Sequence, residues 1–390
     1  MSLVQSLKDT LVERKKKGRL RQLTLPEYSV DFCSNDYLSL STSPLFRDSF
    51  LERINAIPPD LPIASGGSRL LSGNSEAAES VERFLAGFHD AQAALLFNSG
   101  YDANVGVLSC IPQPGDIILY DELIHASLHE GMRLSRAEIK IALDHSCPES
   151  LKQRLIEHKE TSRNIFVVVE SVYSMDGDIA PLDQLVKTVE ESGLQNVYFI
   201  VDEAHATGVL GPKGAGLVQM MDLQSRMFIR VHTFGKALAS HGAVVLCCNT
   251  TRHYLINYAK TLIYTTAIGI PFLCSIGTAY RLLETGQTDK MQSHLQSLIQ
   301  HMHAKLLPLS NTKLQVDHHP TSPIFSLRTP MPKHLAETCL WHGYGVRAIM
   351  SPTVPVGKER VRVCLHAGNT FEEVDGLVGI IEKWLLNSKL

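Results

Sequence analysis

The sequence predicts an α/β fold, in which a large domain with a mostly parallel sheet precedes a smaller C-terminal α+β domain. The first observation is a set of continuous apolar runs, typical of strands that helices cover on both faces. These runs are NIFVVVE (164–170), VYFIVD (197–202), FIRVHTF (228–234) and AVVLCC (243–248). The second observation is that helical patterns alternate with the runs, as in repeated βα units. The composition, 44% hydrophobic and 20% charged, is typical of a globular protein.

The other elements follow in chain order. Residues 3–17 predict a short amphipathic helix, and the Pro- and Gly-rich stretch 57–75 predicts a loop. A helix is then predicted at SEAAESVERFLAGFH, a strand and turn at AALLFNSG, the start of a helix at YDANVGVLSCI and a strand at DIILY. After residue 266 helices dominate, with strands at PIFSL and ERVRVCLHA and a closing helix at FEEVDGLVGIIEKWLL. We therefore divide the chain into an N-terminal segment (1–45), a large domain (46–265) and a small C-terminal domain (266–390).

Charge and motif content exclude several classes of function. The net charge of −3 and the pI near 6.6 argue against nucleic acid and anionic membranes as partners. No apolar run reaches the length that crosses a bilayer. The cysteines form no CxxC pair, and the H-E-x-x-H, G-x-S-x-G and P-loop motifs are absent. We therefore expect no metal, no serine-hydrolase site and no P-loop nucleotide site.

The C-terminal tripeptide is Ser388, Lys389 and Leu390. S-K-L at a C-terminus is an address that the peroxisomal import receptor reads. The alternative is a helix that simply ends in polar and basic residues. We expect a peroxisomal protein in a eukaryote, and a cytoplasmic one if the signal is not used.

Polar residues stand where the predicted strands end. Glu170 and Asp202 end two of the apolar runs, Thr233 and Lys236 follow FIRV, and Ser-Gly-Tyr at 99–101 opens a helix after AALLF. Ligands of open α/β sheets bind at the carboxyl ends of the strands, and a helix N-terminus after a glycine binds anions. A phosphate cradle, a lysine for a covalent bond and an aspartate for a pyridinium nitrogen together indicate pyridoxal 5'-phosphate (PLP).

Lys236 carries the only charge from Val231 to Cys248 if the two histidines are neutral. A lysine held among apolar residues has a lowered pKa and is a better nucleophile and base. Taken singly, Lys236 could be a salt-bridged structural residue and Asp202 a turn residue, just as His125 and His205 could be structural. The combination of these residues is what favours a catalytic site.

Several motifs make the chain similar to the α-oxoamine synthases. They include DEAHATGVLG (202–211), ESVYSMDGDIAPL (170–182), TFGKAL (233–238) and NDYLSLS (35–41). This family consists of PLP-dependent transferases of fold type I, the aspartate aminotransferase-like fold. SGGSRLLSGN resembles most closely the biotin-pathway branch, whose reaction is the decarboxylative condensation of L-alanine with pimeloyl-CoA. The resemblance also implies a homodimer with shared active sites.

Two other functions remain open. The first is another α-oxoamine synthase, one that releases a polyketide chain or joins glycine to a short acyl-CoA. The second is a non-catalytic subunit of a heterodimeric synthase. Such subunits lose the cofactor-binding lysine, whereas this chain retains Lys236 together with Asp202.

The resemblance implies roles for five residues around the cofactor ring. Lys236 would bind PLP covalently and later move the proton of the substrate Cα. Asp202 would pair with the protonated pyridine nitrogen, and His125 would stack on the ring face. His205 and Ser174 would contact the ring hydroxyl.

It also implies how the phosphate is held. The backbone amides of Gly100 and Tyr101 and the hydroxyl of Thr233 would bind the phosphate. Thr265 and Thr266 would reach the phosphate of the other subunit.

Substrate contacts complete the set that the resemblance implies. Arg362, with Asn35 near it, would bind the amino-acid carboxylate, and Arg21 would contact the acyl substrate. Biotin-pathway members usually read AIRPPTVP where this chain reads AIMSPTVP. Met350 therefore replaces an arginine and Ser351 a proline.

Overall fold

The computed structural model describes residues 2–25, 27–316 and 322–387, so the C-terminal Ser388, Lys389 and Leu390 lie outside the described residues. The helices are α1 (Leu3–Lys16), α2 (Pro44–Asn55), α3 (Glu76–Phe88), α4 (Gly100–Cys110), α5 (Ala126–Leu134), α6 (Pro148–Glu157), α7 (Leu182–Ser192), α8 (Leu217–Met220), α9 (Asn249–Tyr258), α10 (Lys260–Ile263), α11 (Ile270–Glu284), α12 (Asp289–Leu306), α13 (Pro332–Trp341) and α14 (Phe371–Asn387). The strands are β1 (Val30–Asp31), β2 (Ala93–Phe97), β3 (Ile117–Asp121), β4 (Ile139–Leu143), β5 (Ile165–Glu170), β6 (Val197–Asp202), β7 (Met227–Thr233), β8 (Ala243–Cys247), β9 (Gln315–Val316), β10 (Ile324–Arg328), β11 (Tyr344–Gly345), β12 (Arg347–Ile349) and β13 (Arg360–Cys364).

A seven-stranded sheet in the order β2-β8-β7-β6-β5-β3-β4 forms the centre of the large domain. Strands β7, β6, β5, β3 and β4 are parallel, whereas β8 is antiparallel to both of its neighbours, β7 and β2. Strand β2 therefore runs in the same direction as β7. The carboxyl ends of β2, β3, β5, β6 and β7 thus lie on one edge of the sheet. The predicted α/β fold with a mostly parallel sheet is confirmed.

The apolar runs form strands because both faces of the sheet are covered. Every residue of β2, β5 and β8 is buried. The strands and helices to which the sequence assigns positions agree with the observed ones to within one or two residues, except that the strand predicted at ERVRVCLHA extends three residues past the end of β13 at Cys364. The prediction gave no positions for β4, for α2, for the helices α5 to α13 or for the short strands β1, β9, β11 and β12.

A second, four-stranded antiparallel sheet in the order β12-β13-β10-β9 lies in the C-terminal part of the chain. Helix α14 packs against α12 and α13. Its buried side chains, which include Val374, Leu377 and Ile381, recur every three or four residues on one face. This arrangement is the α+β part that the sequence predicts.

The N-terminal segment is joined to this C-terminal part. Strand β1 pairs in parallel with β11, and the Cys364 N–H donates to the Phe32 carbonyl over 2.9 Å. Helix α1 precedes this connection and has no buried side chain. Within residues 2–25, 27–316 and 322–387, no helix combines the length and the apolar character needed to cross a bilayer.

Candidate active site

A cavity of about 260 Å³ opens at the carboxyl edge of the central sheet. Glu170, Asp202 and Thr233 end β5, β6 and β7, and all three line this cavity. Lys236 also lines it, on the tight loop between β7 and β8. The structure thus brings together seven of the residues singled out in the sequence: Gly100, Tyr101, His125, Asp202, His205, Thr233 and Lys236.

One end of the cavity is built to bind an anion. The Ser99 side chain caps α4 by accepting from the Asp102 N–H over 3.0 Å, which leaves the amides of Gly100 and Tyr101 without an acceptor inside the helix. A side chain at Gly100 would place its Cβ 2.4 Å from Cγ2 of Thr233, so only glycine permits this close approach. The Thr233 hydroxyl is buried and has no hydrogen-bond partner among the described residues. A phosphate at this helix N-terminus would satisfy these donors.

Asp202 is a buried carboxylate held entirely by neutral donors. Its Oδ2 accepts from Asn104 Nδ2 over 2.7 Å, and its Oδ1 accepts from the Ala204 N–H over 2.9 Å. Because neither of these partners carries a charge, the carboxylate is free to pair with a cation in the cavity. A protonated pyridine nitrogen is such a cation.

Hydrogen bonds set the tautomer of His125. The Ser127 N–H donates to His125 Nδ1 over 3.2 Å, so Nδ1 is unprotonated and the proton of the neutral ring is on Nε2. Ser127 Oγ lies 2.7 Å from the same Nδ1 and accepts from Asn104 Nδ2 over 2.9 Å. Burial lowers the pKa of His125, and Asp202 only partly opposes this shift. A neutral, fixed imidazole at this position is suited to stack on an aromatic ring.

His205 is held in place by the N-terminal segment, through Tyr37. Its Nδ1 lies 2.6 Å from the Tyr37 hydroxyl, which lies 3.1 Å from Oδ1 of Asn35. Burial lowers the pKa of His205 well below its ordinary value, and the charges of Lys236 and Arg362 add to the shift. His205 is therefore neutral, and its Nε2 is available to a hydroxyl in the cavity.

Burial also shifts the pKa values of Lys236 and Glu170, two further ionisable groups of the cavity. It lowers the pKa of Lys236, and the neighbouring Asp202 and Glu170 only partly counter this effect. For Glu170, burial and the charge of Asp202 raise the pKa well above its usual range. A larger share of Lys236 is consequently neutral, the form that acts as a nucleophile or base.

Glu203 lies behind the cavity and gives a pH-dependent contribution to stability. Burial raises the pKa of Glu203 from 4.5 to about 7, although the Val218 N–H and Arg230 favour its charged form. Between these values the folded protein binds more protons than the unfolded chain, so the free energy of unfolding falls as pH rises from 4.5 to about 7.

We expect Glu203→Gln to remove this loss of stability. The free energy of unfolding of the variant minus that of the parent protein should be about 3 kcal/mol larger at pH 8 than at pH 5. Urea unfolding at the two pH values measures this difference, with the exposed Glu382→Gln as the matched control. An equal effect of Glu203→Gln at both pH values would contradict the assignment.

A second cavity, of about 730 Å³, shares His125 with the first. Arg21 and Ser174 line it, together with residues 122–126 and 351–355. Ser174 therefore belongs to this cavity rather than to the lining around Asp202. Its carbonyl accepts from Arg362 Nη1 over 3.1 Å.

Arg362 stands where the two domains meet. Its Nη2 lies 3.5 Å from Oδ1 of Asn35, and its Nε is buried without a hydrogen-bond partner in the described part of the chain. A substrate carboxylate would satisfy that N–H group. Arg362 and Asn35, predicted to lie together, are thus neighbours.

Thr265 and Thr266 lie outside the cofactor cavity of their own chain. Asn98 Nδ2 donates to Thr265 Oγ1 over 3.0 Å and to the Thr266 carbonyl over 2.9 Å. The adjacent Tyr264 is 80% exposed. Their predicted role in the other subunit stays a prediction.

Sequence reasoning missed three polar residues of the site: Asn104, Ser127 and Tyr37. Asn104 lies one helical turn after Gly100, and Ser127 lies two residues after His125. The helical spacing of Gly100 and Asn104 in FNSGYDAN is the pattern that could have found Asn104, because it places Asn104 on the same side of α4 as the phosphate cradle. Glu170 was recognised at its strand end but was given no role.

The described residues fit PLP. The helix N-terminus and Thr233 suit its phosphate, Asp202 suits its pyridinium nitrogen, and Lys236 suits its aldehyde. Among residues 2–25, 27–316 and 322–387, no group of three or more His, Cys, Asp or Glu side chains is placed to hold a metal ion.

Comparison with known proteins gives consistent matches. Residues 28–381 match the family model of class I and II aminotransferases. The 8-amino-7-oxononanoate synthase of Emericella nidulans is 58% identical over 98% of this chain and 96% of its own length. The aminoacyl transferase sphA of Aspergillus fumigatus is 40% identical over 90% of this chain and 80% of its own length.

A solved structure also matches. The crystal structure of 8-amino-7-oxononanoate synthase from Francisella tularensis covers 92% of this chain and 98% of its own, with a TM-score of 0.76 and 26% identity. The chain therefore belongs to the class I and II aminotransferase family of PLP-dependent enzymes and, within it, to the α-oxoamine synthases.

Proposed function

We propose that this protein condenses L-alanine with pimeloyl-CoA, with loss of CO₂ and CoA, to form 8-amino-7-oxononanoate in biotin biosynthesis. The observation that carries the proposal is the pair of cavities that share His125: one fits PLP, and the other has room for an acyl chain. The 58% identity to the Emericella nidulans synthase supports the same reaction.

The cofactor, when bound, supplies a protonated aromatic ring that takes up the electrons released at the substrate Cα. Asp202 would keep that ring protonated, because its hydrogen bonds come from the neutral Asn104 amide and Ala204 N–H and leave the carboxylate able to pair with the ring nitrogen. His125, which lines both the cofactor cavity and the second cavity, would pack on the ring face.

Lys236 is the residue that moves the proton. Its lowered pKa gives a neutral Nζ that accepts the Cα proton of L-alanine and later returns a proton to the product carbon. Arg362 binds the alanine carboxylate through its guanidinium, a geometry suited to two parallel hydrogen bonds. This contact orients the Cα–H bond toward Lys236.

The acyl donor would occupy the second cavity. Its walls include the apolar side chains of Leu123, Ile124 and Val354, which suit a methylene chain. Arg21 supplies a positive charge at this cavity for an anionic group of the donor. The thioester carbon would meet the nucleophilic Cα near His125.

A second candidate is an α-oxoamine synthase with another acyl donor. Two observations favour this candidate. The chain is 40% identical to an aminoacyl transferase, and Met350 replaces the arginine usual in the biotin-pathway branch. A non-catalytic subunit is disfavoured because Lys236 and Asp202 are both in the cofactor cavity.

The test is CoA release by the purified protein with PLP, L-alanine and pimeloyl-CoA. Glycine and L-serine, and shorter and longer acyl-CoA thioesters, are run beside this pair. We expect the highest kcat/KM for alanine with pimeloyl-CoA. Faster turnover with another donor would keep the PLP chemistry and assign the protein to a different synthase.

We also propose a homodimer and a peroxisomal location. The exposed Tyr264 beside Thr265 and Thr266 supports a subunit interface at this loop. Sedimentation equilibrium of the purified protein measures the mass of the assembly.

The S-K-L ending supports recognition by the peroxisomal import receptor. Removal of residues 388–390 from a fluorescently tagged protein tests this import in cells.

A further inference from the structure

His145 lies between two buried carboxylates at the edge of the site. Its Nδ1 is 2.9 Å from Oδ1 of Asp121, and its Nε2 is 2.6 Å from Oδ2 of Asp178. The Tyr173 ring packs edge-on against the imidazole at 4.5 Å between centroids. Asp121 and Asp178 are 3% and 5% exposed, so water screens this cluster poorly.

The cluster needs a cation at its centre. Both ring nitrogens face carboxylate oxygens, so both act as donors only when the imidazole is protonated. Burial alone would lower the pKa of His145, but its hydrogen bonds to Asp121 and Asp178 raise it to about 10. The other titratable groups that face the cluster are the Tyr173 hydroxyl and, beyond Asp121, Glu170.

Asp121 connects His145 to the loop that carries His125. It ends β3, and its Oδ1 accepts from the Leu123 N–H over 2.9 Å, while its carbonyl accepts from the Ile124 N–H over 3.2 Å. These bonds shape the turn at 121–125. The orientation of His125 over the cofactor cavity therefore depends on Asp121.

Asp178 connects His145 to a hairpin at 171–180. The Tyr173 N–H donates to the Asp178 carbonyl over 3.0 Å, and Val172 and Ile179 form a β-bridge. Residues 173–176 of this hairpin line the second cavity. The hairpin and the His125 loop thus both form walls of that cavity.

The same hairpin reaches the small domain. Asp176 forms ion pairs with Arg360 of β13 and with Arg328 of β10, the second over 3.1 Å. His145 is consequently the point where β3, the loop after β4 and the domain-bridging hairpin are joined.

We propose that His145 is a positioning residue, which sets the distance between the His125 loop and the hairpin and so shapes the site for the acyl donor. This inference rests on the proposed function only for the identity of that donor. His145 itself lines neither cavity: it contacts Tyr173 of the second cavity's wall, and it acts through Asp121 and Asp178.

The experiment compares His145→Gln with the parent holoenzyme. In the variant, Asp121 and Asp178 repel each other, so the hairpin moves away from the His125 loop. Without L-alanine no condensation occurs, and calorimetry then measures the dissociation constant of pimeloyl-CoA. We expect a rise of about 10- to 100-fold in this constant, and a smaller change in the KM for L-alanine.

A double variant separates positioning from a general loss of packing. The double variant His145→Gln/Asp178→Asn removes the repulsion and should restore most of the affinity at pH 8. The matched control is His301→Gln, since His301 pairs with an exposed carboxylate, Asp375, over 2.8 Å.

The outcomes are distinguishable. A lower melting temperature with an unchanged dissociation constant would overturn the positioning role. If His145→Gln fails to fold, Asp178→Ala alone should still weaken binding of the donor, because it removes the acceptor on the hairpin that His145 Nε2 contacts over 2.6 Å. The amide oxygen that Asp178→Asn introduces in the double variant still provides such an acceptor. If the parent protein prefers acetyl-CoA or palmitoyl-CoA over pimeloyl-CoA, the proposed function fails, and the same comparison is made with the preferred thioester.

Discussion

Lys236→Ala should abolish turnover, with a loss of about 10⁴-fold or more in kcat. The substitution removes both the amine that bonds to PLP and the base that moves the Cα proton. The loop that carries Lys236 is held by its own backbone, since the Ser240 N–H donates to the Phe234 carbonyl over 2.8 Å. The variant should therefore fold, and its phosphate cradle at Gly100 and Thr233 should remain intact.

Borohydride reduction gives a direct readout of this prediction. Reduction fixes PLP to the amine that holds it, and mass spectrometry of the digest should place the label on Lys236. The variant should carry no label, while the exposed Lys187→Ala, as the matched control, should keep both label and activity. A fully active Lys236→Ala protein would contradict the mechanism.

Asp202→Asn should have the second largest effect, a fall of about 10²- to 10⁴-fold in kcat. This range corresponds to the 3–5 kcal/mol, roughly, that breaking a buried ion pair costs. An asparagine is nearly isosteric, but it lacks the charge that keeps the pyridine nitrogen protonated. Its amide would also face Asn104 Nδ2, which now donates to Oδ2 over 2.7 Å.

The absorption spectrum of bound PLP checks this second prediction independently of turnover. Asp202→Asn should shift the visible band of the holoenzyme and weaken cofactor retention. The matched control is Asp116→Asn, a buried carboxylate at the start of β3, whose Oδ2 accepts from the Gln113 N–H over 2.8 Å. Asp116→Asn should lower the free energy of unfolding and leave the absorption spectrum of bound PLP unchanged.

The strands that build the site were predictable because they are buried on both faces. A run such as IFVVVE has no polar face. Its last residue, Glu170, lies at the edge of the sheet where the ligand binds. Strand β4 was missed because it has another pattern. Its sequence IKIAL places Lys140 on an exposed face at the edge of the sheet, and a search for continuous apolar runs passes over it.

The positions of the ligand-edge residues along the chain were also predictable, but their partners were not. Asn104 and Asp202 are 98 residues apart in the sequence, and Tyr37 and His205 are 168 apart. No local pattern reports contacts over such distances. Ser174 shows the same limit, because the fold of the hairpin turns it toward the second cavity.

The pairing of β1 with β11 has a consequence for synthesis on the ribosome. Residues 30–32 emerge early, yet their partners at 344–345 and at Cys364 emerge near the end of translation. At 5–20 residues per second, this delay is about 15–60 s. The segment that follows β1 carries Asn35 and Tyr37, which contact each other, and Tyr37 also contacts His205. This side of the pocket is therefore assembled last, and a ribosome-bound chain has to wait until its final residues are made before it can enclose the cofactor.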